Sequence, residues 1–271
     1  MSQNTTHFEL AKIVVVLDGY EDEFSEYLSM YHNEKVKIFK NTNRKGKSHR
    51  LNQIFETSET DLVITLDTDI DFANENVLDN LVIPFLKNSS IGMVSGKSFP
   101  TTPNYFVEKV SLSSILIWEE IKSRSKNPAF TAEGTIRCFC KALYKQLRFP
   151  NKSADDIYSY LACTHLGFKY FHQKKSIVNY KTPKSWVDFY RGQIRFLSSL
   201  SIQEGEFNNE FVKNNFCIKN SDRIAALLKV GRKLPLQTIV YIFTWIIAKI
   251  TIIISGPVTT STWKILLSTK K

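Results

Sequence analysis

The chain has 271 residues, of which 43% are hydrophobic, which is enough for one large α/β domain with an appendage. Its net charge of +10 favours anionic partners such as nucleotides or phospholipid headgroups, but the Lys and Arg residues form neither long runs nor an aromatic-basic ladder, so a nucleic-acid interface is not expected. The four cysteines lack C-x-x-C spacing, which argues against a zinc site and favours a reducing compartment.

The first third of the chain alternates predicted strands and helices. Apolar, β-branched runs indicate the strands, and apolar residues at helical spacing indicate the helices. In chain order we predict a strand at 12–17, a helix at 21–31, a strand at 36–39, a helix at 48–57 and a strand at 63–66. This alternation is typical of helical crossovers, so we expect an α/β fold with a mostly parallel sheet and helices on both faces.

Carboxylates follow two of these strands. Asp18 ends the first strand, and Asp67 and Asp69 follow the third, where alternation along an extended chain would aim both to one side. Ligands of parallel sheets gather at the carboxyl ends of the strands. Two carboxylates tolerate each other there if a divalent cation with phosphate oxygens lies between them. A solvated polar turn is the alternative interpretation.

A basic loop at 41–47 contains Gly46 and Lys47. The P-loop pattern is incomplete here, because Asn41 occupies the place of its first glycine. The loop is therefore either a solvated basic turn or a site where Lys47 gives a positive contact to a diphosphate.

The second part of the chain carries longer helices. We predict a helix at 76–86, a strand at 91–95, a helix at 106–124, a strand or short helix at 136–144, a helix at 153–166, strands at 168–171 and 176–180, and an amphipathic helix at 186–200. Asp155 and Asp156 open the helix at 153–166. Such a pair is often only a helix cap, but it can also hold a general base at the start of a helix.

The C-terminal part changes character at residue 235. Residues 235–256 are almost wholly apolar, apart from Lys249, and about as long as the roughly 20 residues that a bilayer core requires. Basic residues flank this stretch on both sides. Since it shows little polar face, we predict a membrane span or a deeply interfacial helix in preference to a buried helix.

Three stretches in the first part resemble, in order and spacing, motifs of the family 2 glycosyltransferases, which have the A-type nucleotide-sugar fold. They are the strand that ends at Asp18, the loop with Gly46-Lys47 and Leu51-Asn52, and Asp67-Thr68-Asp69. In the family these correspond to the strand whose terminal Asp binds the nucleobase, the G-K-x-x-A-L-N stretch and the D-x-D motif. Arg50 departs from the second pattern, which has a small residue there.

Later stretches extend the resemblance to roughly residues 12–200. Residues 134–150 look like the acceptor-side segment of the family. Ala154-Asp155-Asp156 stands where the family has T-E-D, which implies that Asp156 is the catalytic base. Residues 191–196 lie where processive members have Q-x-x-R-W, and Phe196 in place of Trp argues against a polymer synthase.

The resemblance implies a metal-dependent, inverting glycosyltransferase of polysaccharide biosynthesis with a nucleotide-sugar donor, expected to be a UDP-sugar. The implied contacts are Asp69 and Asp67 for Mg²⁺ or Mn²⁺, Asp67 for the ribose, Asp18 for the base, and Lys47 and Arg195 for the diphosphate. The acceptor would be lipid-linked or a saccharide. Residues 235–256 would hold the protein at the membrane surface, on the cytoplasmic face of the cell membrane.

The resemblance also suggests a division into two parts. Residues 1–200 would be the catalytic domain, with a nucleotide-binding half at 12–95 and an acceptor half at 96–200, and residues 201–271 a membrane-associated segment. Members of the family normally have another strand and helix before the strand at 12–17, and we expect this unit to be absent here.

Two other functions fit parts of the pattern. Phosphatases of the haloacid-dehalogenase type also place D-x-D after an apolar strand, where the first Asp attacks phosphate and the second acts as an acid. They require this motif on their leading strand and a hydroxyl residue two positions later, where this chain has Asp71. The other alternative is an inactive, truncated transferase that serves as a membrane scaffold.

Overall fold

The apolar runs at the start of the chain form a small parallel sheet. β1 (Ile13–Asp18) pairs in parallel with β2 (Val36–Asn41) along its whole length. The computed structural model describes residues 2–19, 33–152, 154–203, 205–259, 262 and 267–269, so the helix predicted at 21–31 lies outside the described residues.

A second sheet has five strands in the described part of the chain. They are β3 (Leu62–Leu66), β4 (Ile70–Phe72), β5 (Ile91–Pro100), β6 (Ile136–Cys140) and β7 (Lys169–Tyr180). Their spatial order is β3-β6-β5-β7-β4, so β3, which precedes the D-x-D residues, forms one edge.

Helices follow most of these strands. They are α1 (Lys47–Thr57), α2 (Val77–Lys87), α3 (Phe106–Ser125), α4 (Lys141–Tyr144), α5 (Asp155–His165), α6 (Trp186–Gln203), α7 (Asn209–Phe216), α8 (Asn220–Lys233) and α9 (Pro235–Ser255). Short 3₁₀ turns lie at Pro128–Thr131 and Leu267–Thr269.

The second sheet is mixed, whereas the sequence predicted a mostly parallel one. Among its described strands, β5 and β7 pair in parallel and the other three pairings are antiparallel. The reason lies in residues 126–135, which follow α3. Thr131 and Glu133 contact Ser95 and Ser98 in β5, so the chain enters β6 beside the later part of β5 and runs back against it.

The side chains of β6 explain why helices cover both faces of this sheet. Successive residues of a strand point to opposite faces. Phe139 therefore meets Phe55 of α1, with the ring centroids 5.2 Å apart. Ile136 and Cys138 point the other way and pack in a cluster with Leu81 of α2. The α/β class with helices on both faces is confirmed.

Helices α6 to α9 pack onto this unit. α9 contacts α3, α6 and α8, and among the described residues it is the one helix that is long and apolar enough to cross a membrane. The boundary predicted at residue 200 falls inside α6, which contacts both α5 and α9. The division at residue 200 stays a prediction.

Candidate active site

The predicted D-x-D residues lie where β3 ends. The backbone N–H of Asp67 donates to the carbonyl oxygen of Thr135 at 2.9 Å, which joins Asp67 to the loop before β6. Thr68 and Asp69 then turn into β4 instead of continuing the strand. This turn, and not the predicted strand alternation, sets the relative direction of the two half-buried acidic residues.

Asp18, at the end of β1, holds the basic loop in place. Its carboxylate accepts hydrogen bonds from the backbone N–H groups of Lys45 and Gly46, at 3.0 and 2.7 Å, and from Nε of Arg50 at 2.7 Å. Burial alone would raise its pKa, but these hydrogen bonds and the charge of Arg50 lower the pKa below the ordinary value. The ionised carboxylate therefore fixes the loop.

Gly46 turns the basic loop into α1. Its φ of 89° and ψ of 162° lie in a region that is essentially restricted to glycine. This backbone conformation lets the N–H of Gly46 reach Asp18 while the next residue, Lys47, begins the helix.

Lys47 connects the D-x-D residues with the acidic pair of α5. Its Nζ lies 2.6 Å from Oδ1 of Asp67 and 3.4 Å from Oδ2 of Asp155. Burial lowers the pKa of Lys47, but the negative charges of Asp155 and Asp67 outweigh it and raise the pKa above the ordinary value. A fixed ammonium group therefore stands between carboxylates that come from distant parts of the sequence.

Asp155 is the buried partner of an arginine that the sequence analysis did not single out. Arg137 of β6 is fully buried, and its guanidinium binds the Asp155 carboxylate through Nη2 and the Asp155 carbonyl through Nη1 at 3.0 Å. Nη1 also donates to Oγ of Ser159 at 2.9 Å. Burial would raise the pKa of Asp155, but the charges of Lys47 and Arg137 lower it well below its usual range.

Asp156 differs from its neighbour. Partial burial and the negative charge of Asp155 raise its pKa above the ordinary value, against a smaller lowering by Arg137. A Cβ at Gly134 would lie only 3.1 Å from Cβ of Asp156, so the loop before β6 packs directly on this carboxylate. Ala154 precedes the pair with a left-handed φ of 66°, which starts α5 at this point.

A second ion-pair network fixes the loop that contacts both acidic sites. Glu133 accepts hydrogen bonds from the backbone N–H of Ser98 at 2.7 Å and from the Ser98 hydroxyl, and it pairs with Nζ of Lys122 at 2.6 Å. The next two residues, Gly134 and Thr135, contact Asp156 and Asp67 respectively. The loop is thus positioned before any ligand binds.

The residues at the end of β3 fit a divalent cation that shares its ligands with a diphosphate. Among the described residues, no group of three acidic, His or Cys side chains could hold a metal unaided. Mg²⁺-type ions, however, commonly use one or two carboxylates together with substrate phosphates. Asp67 already binds a cationic group, Lys47, and the buried Oγ1 atoms of Thr65 and Thr135 find no hydrogen-bond partner among the described residues.

Arg195, predicted at the diphosphate, is an exposed residue of α6. Its neighbour Phe196 packs edge-on against Trp118 at 5.5 Å. The same helix ends at the site, because Nε2 of Gln203 donates to the Ala154 carbonyl at 3.3 Å. The structure brings Lys47, Asp67 and the acidic pair of α5 together, whereas the role of Arg195 stays a prediction.

Sequence reasoning missed the two arginines that organise the site. Arg50 was noted only as a departure from a motif, although it binds Asp18, Asn41 and the Asn43 carbonyl. Arg137 is the one charged residue in an otherwise apolar strand. A buried arginine requires a carboxylate partner, so this position could have predicted a pairing with the acidic pair downstream.

Comparisons with known proteins give the family and the fold of the chain. The sequence model of the family "Glycosyl transferase family 2" matches residues 2–148. The mannosyltransferase PcManGT from Pyrobaculum calidifontis, solved with GDP-Man and Mn²⁺, is 17% identical with a TM-score of 0.52, over 90% of this chain and 66% of that one. Glucosyl-3-phosphoglycerate synthase from Mycobacterium tuberculosis, solved with Mn²⁺, UDP and glucosyl-3-phosphoglycerate, is 13% identical with a TM-score of 0.49, over 72% of this chain and 69% of that one.

No curated protein sequence matches the chain. The chain spans about two thirds of the length of these solved structures, and at such low identity the first of them shows the fold alone. The family match covers more than half of the chain and includes β1, the basic loop, β3 and the D-x-D residues. The chain therefore belongs to glycosyl transferase family 2.

Proposed function

We propose that the chain transfers a sugar from a nucleotide diphosphate sugar, with UDP as the nucleotide, to a hydroxyl group of a lipid-linked or saccharide acceptor, with inversion at the anomeric carbon. One observation carries this proposal. Lys47, a cation suited to phosphate, binds Asp67 and approaches Asp155, and the adjacent Asp156 is a carboxylate of raised pKa, suited to a base.

Asp156 would act as the general base. A base works best when its pKa lies near the pH of the reaction, and burial together with the charge of Asp155 moves Asp156 in that direction. It would accept the proton of the acceptor hydroxyl while the hydroxyl oxygen forms its bond to the anomeric carbon. The bond to the nucleotide diphosphate breaks on the opposite face.

The state of Asp155 supports inversion. A retaining reaction through a covalent intermediate requires a second, available carboxylate as nucleophile. Asp155 accepts hydrogen bonds from Arg137 in a buried ion pair and lies 3.4 Å from Nζ of Lys47. A single displacement needs only Asp156 as a base and leaves Asp155 in its ion pair with Arg137.

On the donor side, Lys47 would neutralise charge on the leaving diphosphate, with Arg195 as a further contact, and Asp18 would bind the base ring. Asp69 and Asp67 would hold Mg²⁺ or Mn²⁺, which when bound adds positive charge that stabilises the leaving group. The Mn²⁺ and nucleotide ligands of PcManGT, which shares the fold, support this assignment.

The position of the D-x-D residues argues against the phosphatase alternative. That class requires the motif on its leading strand, whereas β3 follows β1 and β2 and forms an edge of its sheet. The first Asp would also have to attack phosphorus, but Asp67 is held by Lys47 at 2.6 Å.

The membrane assignment is part of the proposal. The apolar α9 and the net charge of +10 suit an anionic membrane surface, which we place on the cytoplasmic face of the cell membrane, where a lipid-linked acceptor of polysaccharide biosynthesis would be available.

Isothermal titration of UDP and of GDP in the presence of Mn²⁺ tests the donor assignment. We expect UDP to bind the wild-type chain, Asp69→Asn to abolish this binding, and Asp71→Asn, a nearby exposed carboxylate on β4, to leave it unchanged. Hydrolysis of p-nitrophenyl phosphate that is lost in Asp67→Asn, without nucleotide binding, would establish the phosphatase instead. If the chain neither binds a nucleotide nor hydrolyses p-nitrophenyl phosphate, the inactive scaffold is the function that fits.

A further inference from the structure

One face of α9 contacts the rest of the protein over about half of the helix, from Tyr241 to Thr251. Near its start, Tyr241 packs against the cluster that joins α3 and α8. Near its end, Oγ1 of Thr251 lies 2.5 Å from the Tyr190 hydroxyl of α6. Beyond the helix, the backbone N–H of Val258 donates to Oγ of Ser198 at 3.1 Å. The contacts between Tyr241 and Thr251 cover about 15 Å of helix.

The opposite face of α9 is an exposed apolar stripe. Eight residues form it, and their exposure ranges from 43% to 81%: Leu236, Ile239, Phe243, Ile246, Ile247, Ile250, Ile253 and Ile254. Their spacing of three and four residues places them on about one third of the helix circumference, over a length of about 27 Å. An exposed apolar surface of this length indicates an interaction site.

The neighbours of α9 cannot follow it into a bilayer core. Glu120 of α3 pairs with Lys229 of α8 at 2.6 Å and with Arg124 at 2.8 Å. Arg232 and Lys233, at the end of α8, are exposed immediately before α9 begins. Charged residues of this density are too costly in hydrocarbon. A helix whose middle part packs against such neighbours cannot stand across the membrane.

We propose that α9 lies in the plane of an anionic membrane surface, with its exposed stripe among the acyl chains and its attached face toward the catalytic domain. Charge favours lipid as the occupant. Arg232 and Lys233 lie at one end of the stripe, and Lys249 lies at its border, with Nζ 4.2 Å from the centroid of the Trp245 ring. Anionic headgroups complement these cations, whereas a second copy of the chain would bring the same positive charges together.

This arrangement deepens the membrane association proposed above and links it to the site. α6 binds α9 through Tyr190 and the segment just after α9 through Ser198, and its last residue, Gln203, binds the carbonyl of Ala154 next to the acidic pair. The helix α6 therefore connects α9 with the acidic pair of α5, which contains the proposed base for the acceptor hydroxyl. A lipid-linked acceptor would be presented from the surface on which α9 rests.

Depth measurements distinguish an in-plane helix from a span. A bimane label is attached to Leu236→Cys, Phe243→Cys or Ile254→Cys in the full chain with the exposed native Cys217 replaced by Ser, and quenching by brominated lipids is measured on vesicles of phosphatidylcholine and phosphatidylglycerol. We expect the same shallow depth at all three positions. A span predicts that Phe243→Cys lies deepest and that the two ends lie at opposite surfaces, which would overturn the proposal.

Substitutions on the stripe test the occupant. Ile246→Glu with Ile250→Glu should lower binding to these vesicles more than about tenfold. The matched control, Leu86→Glu with Leu166→Glu, replaces exposed apolar residues away from α9 and should leave binding unchanged. UDP binding with Mn²⁺ should persist in all variants, so that a failure of docking is distinguishable from a failure of the proposed catalysis. The proposal would be overturned if the wild-type protein does not bind the vesicles but forms a dimer that is lost in Ile246→Glu with Ile250→Glu. The stripe would then be the interface with a second copy of the chain.

Discussion

Asp155 and Asp156 are neighbours in the sequence, yet their surroundings move their pKa values in opposite directions. Arg137 and Lys47 stabilise the charged form of Asp155, and the resulting negative charge, together with burial, destabilises the charged form of Asp156. Two adjacent carboxylates with separated pKa values can take different roles, one structural and one catalytic.

This coupling predicts the direction of a pH shift. As the proposed base, Asp156 must be ionised, so we expect the rate to fall as the pH drops below its pKa. Asp155→Asn removes a negative charge, lowers that pKa and should move the acid limb of kcat/KM to lower pH. The pH dependence of donor turnover measures the shift, and Asp188→Asn, a carboxylate on α6 bonded to Ser268, is the control. If the acid limb of kcat/KM lies at the same pH in Asp155→Asn as in the wild type, the charge of Asp155 does not raise the pKa of Asp156.

Arg137 should matter for stability as well. Removal of one partner of a buried ion pair typically costs about 3–5 kcal/mol, so we expect Arg137→Gln to lower the free energy of unfolding by this amount, measured in urea. The double variant with Asp155→Asn should recover part of the loss.

The pH dependence of this loss follows from the lowered pKa of Asp155. The stabilisation is present above the pKa of an unfolded Asp, about 3.9, and is lost as the pH falls toward the folded pKa. The difference between wild type and Arg137→Gln should therefore shrink below about pH 4. A difference that is constant with pH would show that packing, and not charge, explains the cost.

Lys47 provides a prediction with two readouts. Lys47→Met removes the ammonium that binds Asp67, so Mn²⁺ alone should bind more tightly. UDP with Mn²⁺ should bind more weakly, because the proposed contact of Lys47 with the diphosphate is lost. Titration of each ligand measures both effects. Lys45→Met is the control, since Lys45 binds Asp18 through its backbone N–H, which the substitution keeps. Weaker binding of both ligands would contradict a competing role for Lys47.

At the scale of elements, the start of α1 depends on the backbone of one glycine. Gly46→Ala forces a Cβ into a conformation that costs about 1–3 kcal/mol outside glycine, and it displaces the N–H that binds Asp18. We expect lower stability in urea and weaker UDP binding. Gly192→Ala is the opposite case, because it lies within α6 with open space around its Cβ, and it should stabilise by roughly 0.5–1 kcal/mol. Equal effects of the two substitutions would refute the conformational argument.

The elements also show what sequence patterns can predict. Periodicity located β1, β2, β3 and the long helices, and the rule that ligands gather at strand ends selected Asp18 and Asp67. β7 was predicted as two strands, because the polar residues 172–175 interrupt its apolar pattern. Backbone pairing with β5 continues past this interruption with a shift in register. The antiparallel course of β6 and the partners of Arg50 and Arg137 depend on contacts between distant segments, which local patterns do not contain.

At the scale of the whole molecule, α9 is part of the fold and not a detachable anchor. Truncation after Leu234 removes Val240 and Tyr241 from the clusters that involve Val110 and Phe189 of α3 and α6. We therefore expect the truncated chain to aggregate in size-exclusion chromatography and to melt at a lower temperature, whereas Ile246→Glu with Ile250→Glu stays folded. A truncated chain as stable as the full one would show that α9 is independent.

Turnover of the donor by the full chain and by Asp156→Asn tests whether Asp156 is the base of a sugar transfer. UDP-glucose and GDP-mannose serve as donor probes with Mn²⁺ and a membrane lipid extract as acceptor, and the release of nucleoside diphosphate is measured beside UDP binding. We predict that Asp156→Asn binds UDP as the wild type does but releases nucleotide about 10²–10⁴-fold more slowly, as expected for the loss of a general base. Wild-type turnover in Asp156→Asn, or no turnover of either donor by the wild type, would contradict the account.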